Sequence, residues 1–444
     1  MTRLVVVADD LTGANATGAL LAAQGLRTAT LIPERAEALS PTLTQDVVIM
    51  STNSRALPAD EAYLRVRACL SRFKGRGASR FSKRIDTTLR GNVSSEIDAA
   101  LDELGHLEMA VVVPAYPLSG RITVGGYQIV NGIPLERTPV AKDPRTPVSR
   151  SHVPSLIQDG THRTVGHVRL EDVLQGWETI SRRLVEARDC GAEMVVVDAV
   201  TNDDVQAIAQ ATTHLPFQVL AVDPGPFTAF VAAASGISPT NDVQQGIRGR
   251  VVLALVGSVT PLTHTQIRWL KDALPNVAIS IDARALAAGG SAHTEAVTAD
   301  AVARILDAIS VRSSKDTVVV VESWSATEGV VDLAGLDRQM DRAPGASATN
   351  ICRGLGRITR AVLDAARREV AGLYVTGGDV TFAVLEEMDC AGIEVKTEVL
   401  PLAAFGTAIG GPHDGLMIVT KGGLVGQEDA AVQCVRYLLQ RGAG

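Results

Sequence analysis

The hydrophobic pattern of the chain consists of short apolar runs, rich in β-branched residues, that alternate with longer Ala- and Leu-rich segments of helical spacing. Continuously apolar strands are typical of a parallel sheet that is covered by helices on both faces. The first half is therefore predicted to be a doubly wound α/β domain. Its predicted strands are Leu4–Ala8, Val47–Met50, Ala110–Val113, Met194–Val197 and Val219–Val222.

The same pattern starts again in the second half, at Val251–Val256, Thr317–Val321, Leu373–Thr376 and Leu416–Thr420. Between the halves, from 234 to 249, the apolar periodicity is lost and Gly, Ser, Pro, Asn and Asp accumulate, as in a domain connection. A chain of 444 residues also exceeds the usual range of a single hydrophobic core. We predict domains at residues 1–235 and 250–444, both doubly wound α/β with mainly parallel sheets, and a cleft between them.

The composition narrows the class of protein and its compartment. Hydrophobic residues make up 46% and charged residues 20%, as in a soluble globular protein, and the net charge of -7 argues against nucleic acid as a partner. Five dispersed cysteines without a CxxC pair predict neither a disulfide framework nor a zinc site. No apolar stretch approaches the roughly 20 residues that a membrane span needs, and no signal peptide is evident. We expect a cytoplasmic protein with no membrane partner.

The first segment with candidate chemistry has the sequence ADDLTGAN, from Ala8 to Asn15, and follows the first predicted strand. The carboxyl ends of strands are where open α/β sheets bind their ligands. Asp10 or Thr12 alone would be enough to cap the helix that follows. Because a cap does not need two aspartates and a glycine turn, we favour a functional site over a cap.

The second segment, KRIDTTLRGN from Lys83 to Asn92, follows another predicted strand and combines three cations, a carboxylate, two hydroxyls and a glycine. Arginine can bind a carboxylate or a phosphate through two parallel hydrogen bonds, and Asp and Asn can orient sugar hydroxyls. A solvated loop with internal salt bridges is the alternative. The concentration of short polar residues favours a site for a polyhydroxy acid.

A third segment, PAYPLSGRIT from Pro114 to Thr123, follows the strand predicted at 110–113. Pro, Gly and Ser form turns whatever the function, so this segment decides nothing by itself. The Pro/Thr-rich stretch from Gly132 to Pro154 has little periodicity. A loop of this length inside a compact domain is more often functional, or a lid, than inert.

Three glycine-rich strand ends in the second half are candidates for binding a nucleotide: VGS at 256–258, TGGDVT at 376–381 and KGGLVG at 421–426. Glycines let backbone N–H groups approach a phosphate, and a helix N-terminus adds a favourable dipole. A tight turn capped by Asp379 or Thr381 is the alternative for one of them. Neither the GxxxxGKS/T phosphate loop nor the GxGxxG fingerprint occurs, so any nucleotide site is of another type.

Taken together, ADDLTGANATG at 8–18, KRIDTTLRGN at 83–92 and VPAYPLSGRITVGG at 113–126 resemble the four-carbon acid sugar kinase family. GS at 257–258, TGGDVT and KGGLVG are similar to the nucleotide-binding domain of that family, so the resemblance covers nearly the whole chain. It implies an N-terminal domain for the sugar acid and a C-terminal domain for ATP. Known members phosphorylate the 4-hydroxyl of D-threonate, D-erythronate or 3-oxo-tetronates, and TGAN is more similar to the threonate and erythronate branch.

This resemblance, with the chemistry of the segments, leads to a hypothesis for the site. ATP and Mg²⁺ are the expected cofactors, and the sequence does not identify the metal ligands. Either Asp10 or Asp86 is expected to orient the 4-hydroxyl and accept its proton. The candidates for binding the sugar acid are Asp9, Thr12, Asn15, Arg55, Lys83, Arg84, Thr87, Arg90 and Asn92. The candidates for binding ATP are Ser258, Thr376, Gly377, Gly378, Asp379, Val380, Thr381, Lys421, Gly422 and Gly423.

Three other functions stay open from the sequence. Within the family, a 3-oxo-tetronate kinase differs by one carbonyl in its substrate. A non-catalytic sugar-acid sensor would keep the first site but would not need three glycine-rich strand ends. A nicotinamide-dependent dehydrogenase would suit the fold but lacks the GxGxxG turn. A homodimer is the default expectation for the oligomeric state.

Overall fold

The computed structural model describes residues 2–36, 44–73, 78–143, 145–237, 249–257, 260–290, 292–312, 316–323 and 331–442. The chain divides into two compact units, Met1–Asn241 and Asp242–Gly444. Among the described residues, no helix is both long enough and apolar enough to cross a membrane.

The N-terminal unit alternates strands and helices along most of its length. Its strands are β1 (Leu4–Ala8), β2 (Thr28–Leu31), β3 (Val47–Ser51), β4 (Arg80–Arg84), β5 (Met109–Val112), β6 (Arg121–Val124), β7 (Tyr127–Val130), β8 (Ile133–Pro134), β9 (Val165–Val168), β10 (Met194–Val197) and β11 (Val219–Asp223). Its helices are α1 (Leu11–Ala23), α2 (Pro33–Ala36), α3 (Ala59–Ser71), α4 (Val93–Leu104), α5 (Val153–Gln158), α6 (Leu170–Val173), α7 (Trp177–Asp189), α8 (Asn202–Thr213) and α9 (Pro226–Ala234).

The main sheet of this unit has the strand order β2-β3-β1-β4-β11-β5-β10-β9, and its neighbouring strands are parallel. β1 lies between β3 and β4, so the chain leaves β1 toward one side of the sheet and later returns to its other side. Such a reversal of strand order opens a crevice at the carboxyl ends of the strands, where ligands bind. Strands β6, β7 and β8 form a separate antiparallel sheet.

The C-terminal unit repeats the same architecture with an antiparallel edge. Its strands are β12 (Val251–Val256), β13 (Asn276–Ser280), β14 (Thr317–Glu322), β15 (Val370–Thr376), β16 (Gly392–Leu400), β17 (Ala403–Ile409) and β18 (Met417–Lys421). Its helices are α10 (Pro261–Ala273), α11 (Ala283–Ala288), α12 (Ala292–Arg312), α13 (Leu333–Gln339), α14 (Ala346–Ala366), α15 (Gly378–Glu387) and α16 (Ala430–Gly442). The strand order is β13-β14-β12-β15-β18-β17-β16, parallel as far as β18 and antiparallel beyond it.

Each unit has its own hydrophobic core between sheet and helices. In the N-terminal unit, Val111 and Val195 of the sheet pack with Ile180 and Leu184 of α7. In the C-terminal unit, Val252 and Val320 pack in a cluster with helix residues that include Leu270 and Val435. These side chains are buried, and their removal from water stabilises the fold.

The predicted α/β fold with mainly parallel sheets is confirmed, and every strand predicted from an apolar run is present within one or a few residues. Three details differ from the prediction. Lys83 and Arg84 are the last residues of β4 rather than part of the loop after a strand, and α15 begins at Gly378, four residues before the predicted start at Phe382. The stretch 132–154 contains β8, two short 3-10 turns and the start of α5. Much of the predicted connection at 234–249 lies outside the described residues.

Candidate active site

The candidate active site of the N-terminal unit lies at the carboxyl ends of β1, β3 and β4. Asp9 and Asp10 follow β1, Arg55 lies four residues after β3, and Arg84 ends β4 two residues before Asp86. Because these three strands are parallel neighbours, their carboxyl ends reach the same edge of the sheet. The fold therefore brings together charged side chains that are up to 77 residues apart in the sequence, from Asp9 to Asp86.

Arg55 contacts three carboxylates. Its Nε is 2.7 Å from Asp9 Oδ2 and its Nη2 is 3.0 Å from Asp9 Oδ1, a bidentate pair. The same Nη2 is 2.7 Å from Asp10 Oδ1 and 3.6 Å from Asp86 Oδ1. Only 17% of the Arg55 side chain is exposed, so these ion pairs are weakly screened by solvent.

Arg84 crosses the first turn of α1 to reach the same aspartates. Its Nη1 is 2.9 Å from Asp10 Oδ1 and 3.3 Å from Asp9 Oδ1. A Cβ atom at Gly13 would lie 1.8 Å from the Arg84 guanidinium, so only glycine leaves room for this approach. The glycine of the first motif is therefore explained by the packing of Arg84.

Asp86 is almost fully occupied by donors. Arg90 donates from Nε to Oδ2 at 2.9 Å and from Nη2 to Oδ1 at 3.1 Å, and the Thr88 backbone N–H and hydroxyl also donate to Oδ2. Burial alone would raise the pKa of Asp86, but Arg90 and Arg55 outweigh it and hold this pKa well below the ordinary value. Arg90 also reaches Asp143, from Nη1 to Oδ2 at 3.3 Å.

Asp9 and Asp10 differ in their exposure. The Asp9 side chain is 3% exposed. Burial raises the pKa of Asp9, but Arg55 and Arg84 lower it by more, so the net shift is downward. The Asp10 side chain is 17% exposed, against 6% for Asp86. All contacts of the Asp10 carboxylate with the described residues, from Gly13 N–H, Arg55 and Arg84, are made through Oδ1. Asp10 Oδ2 is therefore the site oxygen best placed to accept a further donor.

Lys83 lies beneath this network instead of facing it. Its side chain is 1% exposed, and its Nζ is 2.7 Å from Glu96 Oε2 of α4 and 2.7 Å from the carbonyl of Arg84. Glu96 in turn accepts a hydrogen bond from the Ser54 hydroxyl. Burial raises the pKa of Glu96 and the charge of Lys83 opposes that shift. The pair therefore connects β4, α4 and the segment after β3 below the charged cluster.

The other predicted residues of this unit have several environments. Asn92 Nδ2 donates to the carbonyls of Ser54 and Leu57, at 3.1 and 2.9 Å, and so holds the loop that carries Arg55. Thr87 is buried, and its carbonyl accepts a hydrogen bond from Gln128 of β7. Asn15 is buried within α1, whereas Thr12 in the first turn is half-buried.

A groove of about 400 Å³ borders the charged network. One side of it is lined by Arg55, Leu89, Gly91 and Asn92, and the other by the segment 145–150. The Oδ1 atom of Asp143 accepts hydrogen bonds from the backbone N–H groups of residues 145 and 146, while its Oδ2 faces Arg90. Asp143 therefore ties this segment to the site. Part of the predicted functional loop at 132–154 thus lies beside the charged network.

In the C-terminal unit, the glycine-rich strand ends also meet. Val256 of β12 pairs with Thr376 of β15, and Thr376 pairs with Lys421 of β18, so three parallel strands end side by side. Gly257, Gly377 and Gly422 follow these ends directly. The structure therefore brings together the described candidates of all three glycine-rich segments, while Ser258 lies outside the described residues.

The turn between β15 and α15 requires glycine. Gly377 has a φ of 110°, which side-chain-bearing residues rarely adopt, and its N–H donates to the carbonyl of Lys421 at 2.9 Å. Gly378, Asp379, Val380 and Thr381 form the first turn of α15, and the Thr381 hydroxyl donates to the carbonyl of Gly377 at 3.0 Å. The N-terminus of this helix provides the backbone N–H groups and dipole that suit an anion.

Close packing between Gly257, which follows β12, and Val380 of α15 also constrains this turn. A Cβ atom at Gly257 would lie 2.1 Å from Val380 Cγ2, so β12 and α15 can pack this closely only with glycine at 257. Asp379 is exposed and Val380 is buried, as expected for the two sides of a helix start.

Lys421 is a buried cation whose Nζ donates to backbone carbonyls. It lies 2.7 Å from the carbonyl of Gly422 and 3.2 Å from that of Val425. Burial lowers the pKa of Lys421 to about 8. The hydroxyls of Thr260 and Thr263 donate to the carbonyl of Gly423, at 2.9 and 3.0 Å. The backbone carbonyls of Gly422 and Gly423 thus accept hydrogen bonds from side chains of the same unit.

Sequence reasoning did not assign a role to two acidic residues of the N-terminal site. Glu96 is the buried partner of Lys83, and Asp143 connects Arg90 with the segment 145–150. Asp143 lies within the Pro/Thr-rich stretch 132–154, for which the sequence favoured a functional role, so this stretch was a usable signal. Glu96 lies in an amphipathic helix, and only the tertiary structure reveals its partner. Among the described residues, no cluster of three or more His, Cys, Asp or Glu side chains could hold a metal ion.

Comparison with known proteins identifies a domain family in each half of the chain. A family model described as a sugar-binding N-terminal domain matches residues 4–231, and one described as a nucleotide-binding C-terminal domain matches residues 253–431. The chain is 42% identical to the D-erythronate kinase of Heliobacterium modesticaldum, over 99% of this chain and 98% of that protein.

Two further relatives and a solved structure match along nearly the whole chain. The D-threonate kinase of Salmonella typhimurium is 29% identical over 98% of both chains, and the 3-oxo-tetronate kinase of Pseudomonas fluorescens is 28% identical over 95% and 94%. The crystal structure of a Salmonella typhimurium protein has the same fold, with a TM-score of 0.78 and 21% identity over 98% of this chain and 100% of that one. The chain belongs to the four-carbon acid sugar kinase family.

Proposed function

We propose that this chain transfers the γ-phosphoryl group of ATP to the 4-hydroxyl of D-erythronate or D-threonate. The observation that supports it most directly is the charged cluster at the ends of β1, β3 and β4, in which Asp10 keeps one carboxylate oxygen available. The similarity to a D-erythronate kinase at 42% identity favours D-erythronate over 3-oxo-tetronates. In this proposal, domain 1–235 binds the acid and domain 250–444 binds ATP.

Asp10 is the proposed proton acceptor. Phosphoryl transfer needs a group that orients the attacking hydroxyl and takes its proton, and little other covalent help from the protein. Asp86 suits this role less because Arg90 and Thr88 occupy its oxygens and its pKa is strongly lowered. The sequence left these two aspartates as equal candidates, and their contacts favour Asp10.

The guanidinium groups of Arg55, Arg84 and Arg90 have two proposed tasks. They hold the three aspartates in place, and they reduce the repulsion that these carboxylates would exert on the transferred phosphoryl group. Asp9 is proposed to orient Arg55 through its bidentate pair, and Lys83 to support the site through Glu96 without contact with the substrate.

The three glycine-rich strand ends of the C-terminal unit are the proposed ATP site. Backbone N–H groups in the first turn of α15 and the dipole of this helix suit the phosphates, and Lys421 and the turn at Gly422 and Gly423 border them. Mg²⁺ commonly takes most of its ligands from phosphate oxygens and water, and the proposal assigns it no protein ligand. Mg²⁺ would neutralise phosphate charge when bound with ATP.

The test is a coupled assay of ADP release with D-erythronate, D-threonate, L-threonate and 3-oxo-tetronates as acceptors. We expect the highest kcat/KM with one of the first two acids. Turnover with an oxo acid alone would favour the 3-oxo-tetronate kinase alternative. Binding of an acid without ADP release from any acceptor would favour a sensor, and reduction of NAD would favour a dehydrogenase. The homodimer and the cleft between the domains stay predictions.

A further inference from the structure

The charged network of the N-terminal site carries no net positive charge that would attract the carboxylate of a substrate. The side chains of Arg55, Arg84 and Arg90 pair with Asp9, Asp10, Asp86 and Asp143, so three guanidinium groups face four carboxylates. Lys83 is paired with the buried Glu96. A substrate carboxylate that enters this site would therefore meet excess negative charge unless another cation faces it.

Arg121 is a cation beside this network that is not paired with a carboxylate in the described part of the chain. Its guanidinium donates to the carbonyl of Ser119, and its Nε is shielded from solvent without a hydrogen-bond partner among the described residues. Burial lowers the pKa of Arg121, and the charge of Asp86 only partly opposes this. A half-buried arginine of this kind is favourable when an anion completes its hydrogen bonds.

The antiparallel sheet β6-β7-β8 holds Arg121 in this position. Arg121 begins β6, pairs with Val130 of β7, and shares two backbone hydrogen bonds with Tyr116. The fully buried Gln128 of β7 donates to the carbonyls of Thr87 and Pro114, at 3.1 and 3.2 Å. The hairpin that carries Arg121 is thus bonded directly to the residue after Asp86.

We propose that Arg121 binds the carboxylate of the four-carbon acid and so makes the site specific for acids over the corresponding polyols. This inference rests on the proposed function. The carboxylate and the 4-hydroxyl are at opposite ends of the substrate, so they need different partners. Asp10 contacts Arg55, Arg55 contacts Asp86, and the residue after Asp86 is hydrogen-bonded to the hairpin that carries Arg121, which connects the partners proposed for the two ends.

The experiment compares Arg121→Met, Arg121→Lys and the control Arg137→Met, which removes an exposed arginine from the segment after the same hairpin. Binding of D-erythronate and D-threonate without ATP is measured by calorimetry, and kcat and KM are measured by ADP release. We expect Arg121→Met to raise Kd and KM for the acid about 10- to 100-fold, because a charge-assisted hydrogen bond is lost. The kcat should stay within about threefold of the parent value. Arg121→Lys should recover part of the loss because it keeps the charge without the planar fork.

Specificity provides the second readout, with erythritol and threitol as substrates in which CH₂OH replaces the carboxylate. Arg121→Met should leave their kcat/KM within about threefold of the parent value, so that the preference for the acid falls. An unchanged Kd for the acid in Arg121→Met, with an unchanged urea midpoint, would overturn the inference. So would a fall in kcat at constant KM, because Arg121 would then act on the transferred phosphoryl group.

The binding measurement separates this inference from the proposed function. If the parent protein binds the acid and Arg121→Met does not, the inference holds even where ADP release is absent and the kinase proposal fails. If the parent releases ADP with the acid but Arg121→Met keeps its Kd, the kinase proposal holds and the inference fails. A parent protein that binds no four-carbon acid would overturn both.

Discussion

At the scale of single residues, Asp10 and Asp86 differ in what surrounds their carboxylate oxygens, and this difference predicts different effects of the same substitution. Asp10→Asn should remove the proton acceptor while Arg55 and Arg84 keep their ion pairs with Asp9, so kcat should fall about 10²- to 10⁴-fold with little change in stability. The coupled ADP-release assay and urea unfolding measure the two quantities. A variant with normal kcat would show that Asp10 does not accept the proton.

Asp86→Asn should mainly destabilise the protein. It removes the bidentate partner of Arg90 at a side chain that is only 6% exposed and leaves Arg90 with only the longer contact to Asp143, and breaking a buried pair costs roughly 3–5 kcal/mol. Because folding lowers the pKa of Asp86 below its ordinary 3.8, its stabilisation is present above that pH and is lost as the pH falls toward the folded-state pKa. The deficit of Asp86→Asn in urea unfolding should therefore shrink in acid. A deficit that is independent of pH would contradict this account.

At the scale of elements, the pair between Lys83 of β4 and Glu96 of α4 predicts strong coupling. Lys83→Met should leave the Glu96 charge buried and unpaired and cost roughly 3–5 kcal/mol, whereas Lys83→Met with Glu96→Leu should cost much less than the sum of the single changes. The matched control is Arg65 and Glu61, an exposed pair on α3, for which the coupling should be about 0.5 kcal/mol or less. Urea unfolding gives all the values, and additive effects at 83 and 96 would contradict the prediction.

The end of β18 predicts a dependence on pH. Folding lowers the pKa of Lys421 from 10.5 to about 8, so between these values the unfolded state binds more protons, and the destabilisation caused by burying this charge decreases as the pH rises. The stability of the parent relative to Lys421→Met should therefore rise by about 1 kcal/mol from pH 7.5 to 9. Comparison with the variant removes the opposite trend of Cys434, whose pKa burial raises to about 12. A constant difference would show that Lys421 is not destabilised by burial.

The elements also show which parts of the structure the sequence can predict. Buried parallel strands such as β12 and β14 are continuous apolar runs, so their positions follow from hydrophobicity alone. β4 has the sequence RFSKR, and its polar residues are there because Lys83 pairs with Glu96 and Arg84 reaches the aspartates. Such a strand is defined by tertiary partners, which a pattern along the chain does not contain. Asp9 and Asp10 of the first motif and Gly377 of TGGDVT could be predicted as site residues because each motif directly follows an apolar strand.

At the scale of the whole molecule, the two units are proposed to bind different ligands. This predicts that one methyl group added in either unit weakens the binding of only one ligand. Gly13→Ala would place a Cβ atom 1.8 Å from the Arg84 guanidinium, and Gly257→Ala would place one 2.1 Å from Val380 Cγ2 beside the first turn of α15. Both changes add the same atom, and each disturbs one proposed site.

In thermal unfolding, a ligand that binds only the folded state at about 100 times its Kd stabilises it by about 2.7 kcal/mol. We expect Gly13→Ala to lose the rise in Tm caused by D-erythronate and keep the rise caused by ATP with Mg²⁺, and Gly257→Ala to do the reverse. The response that each variant retains shows that this variant is folded, because only a folded chain binds the ligand. If either glycine change removed both responses, the two ligands would depend on a common site, and the assignment of acid and nucleotide to separate units would be wrong.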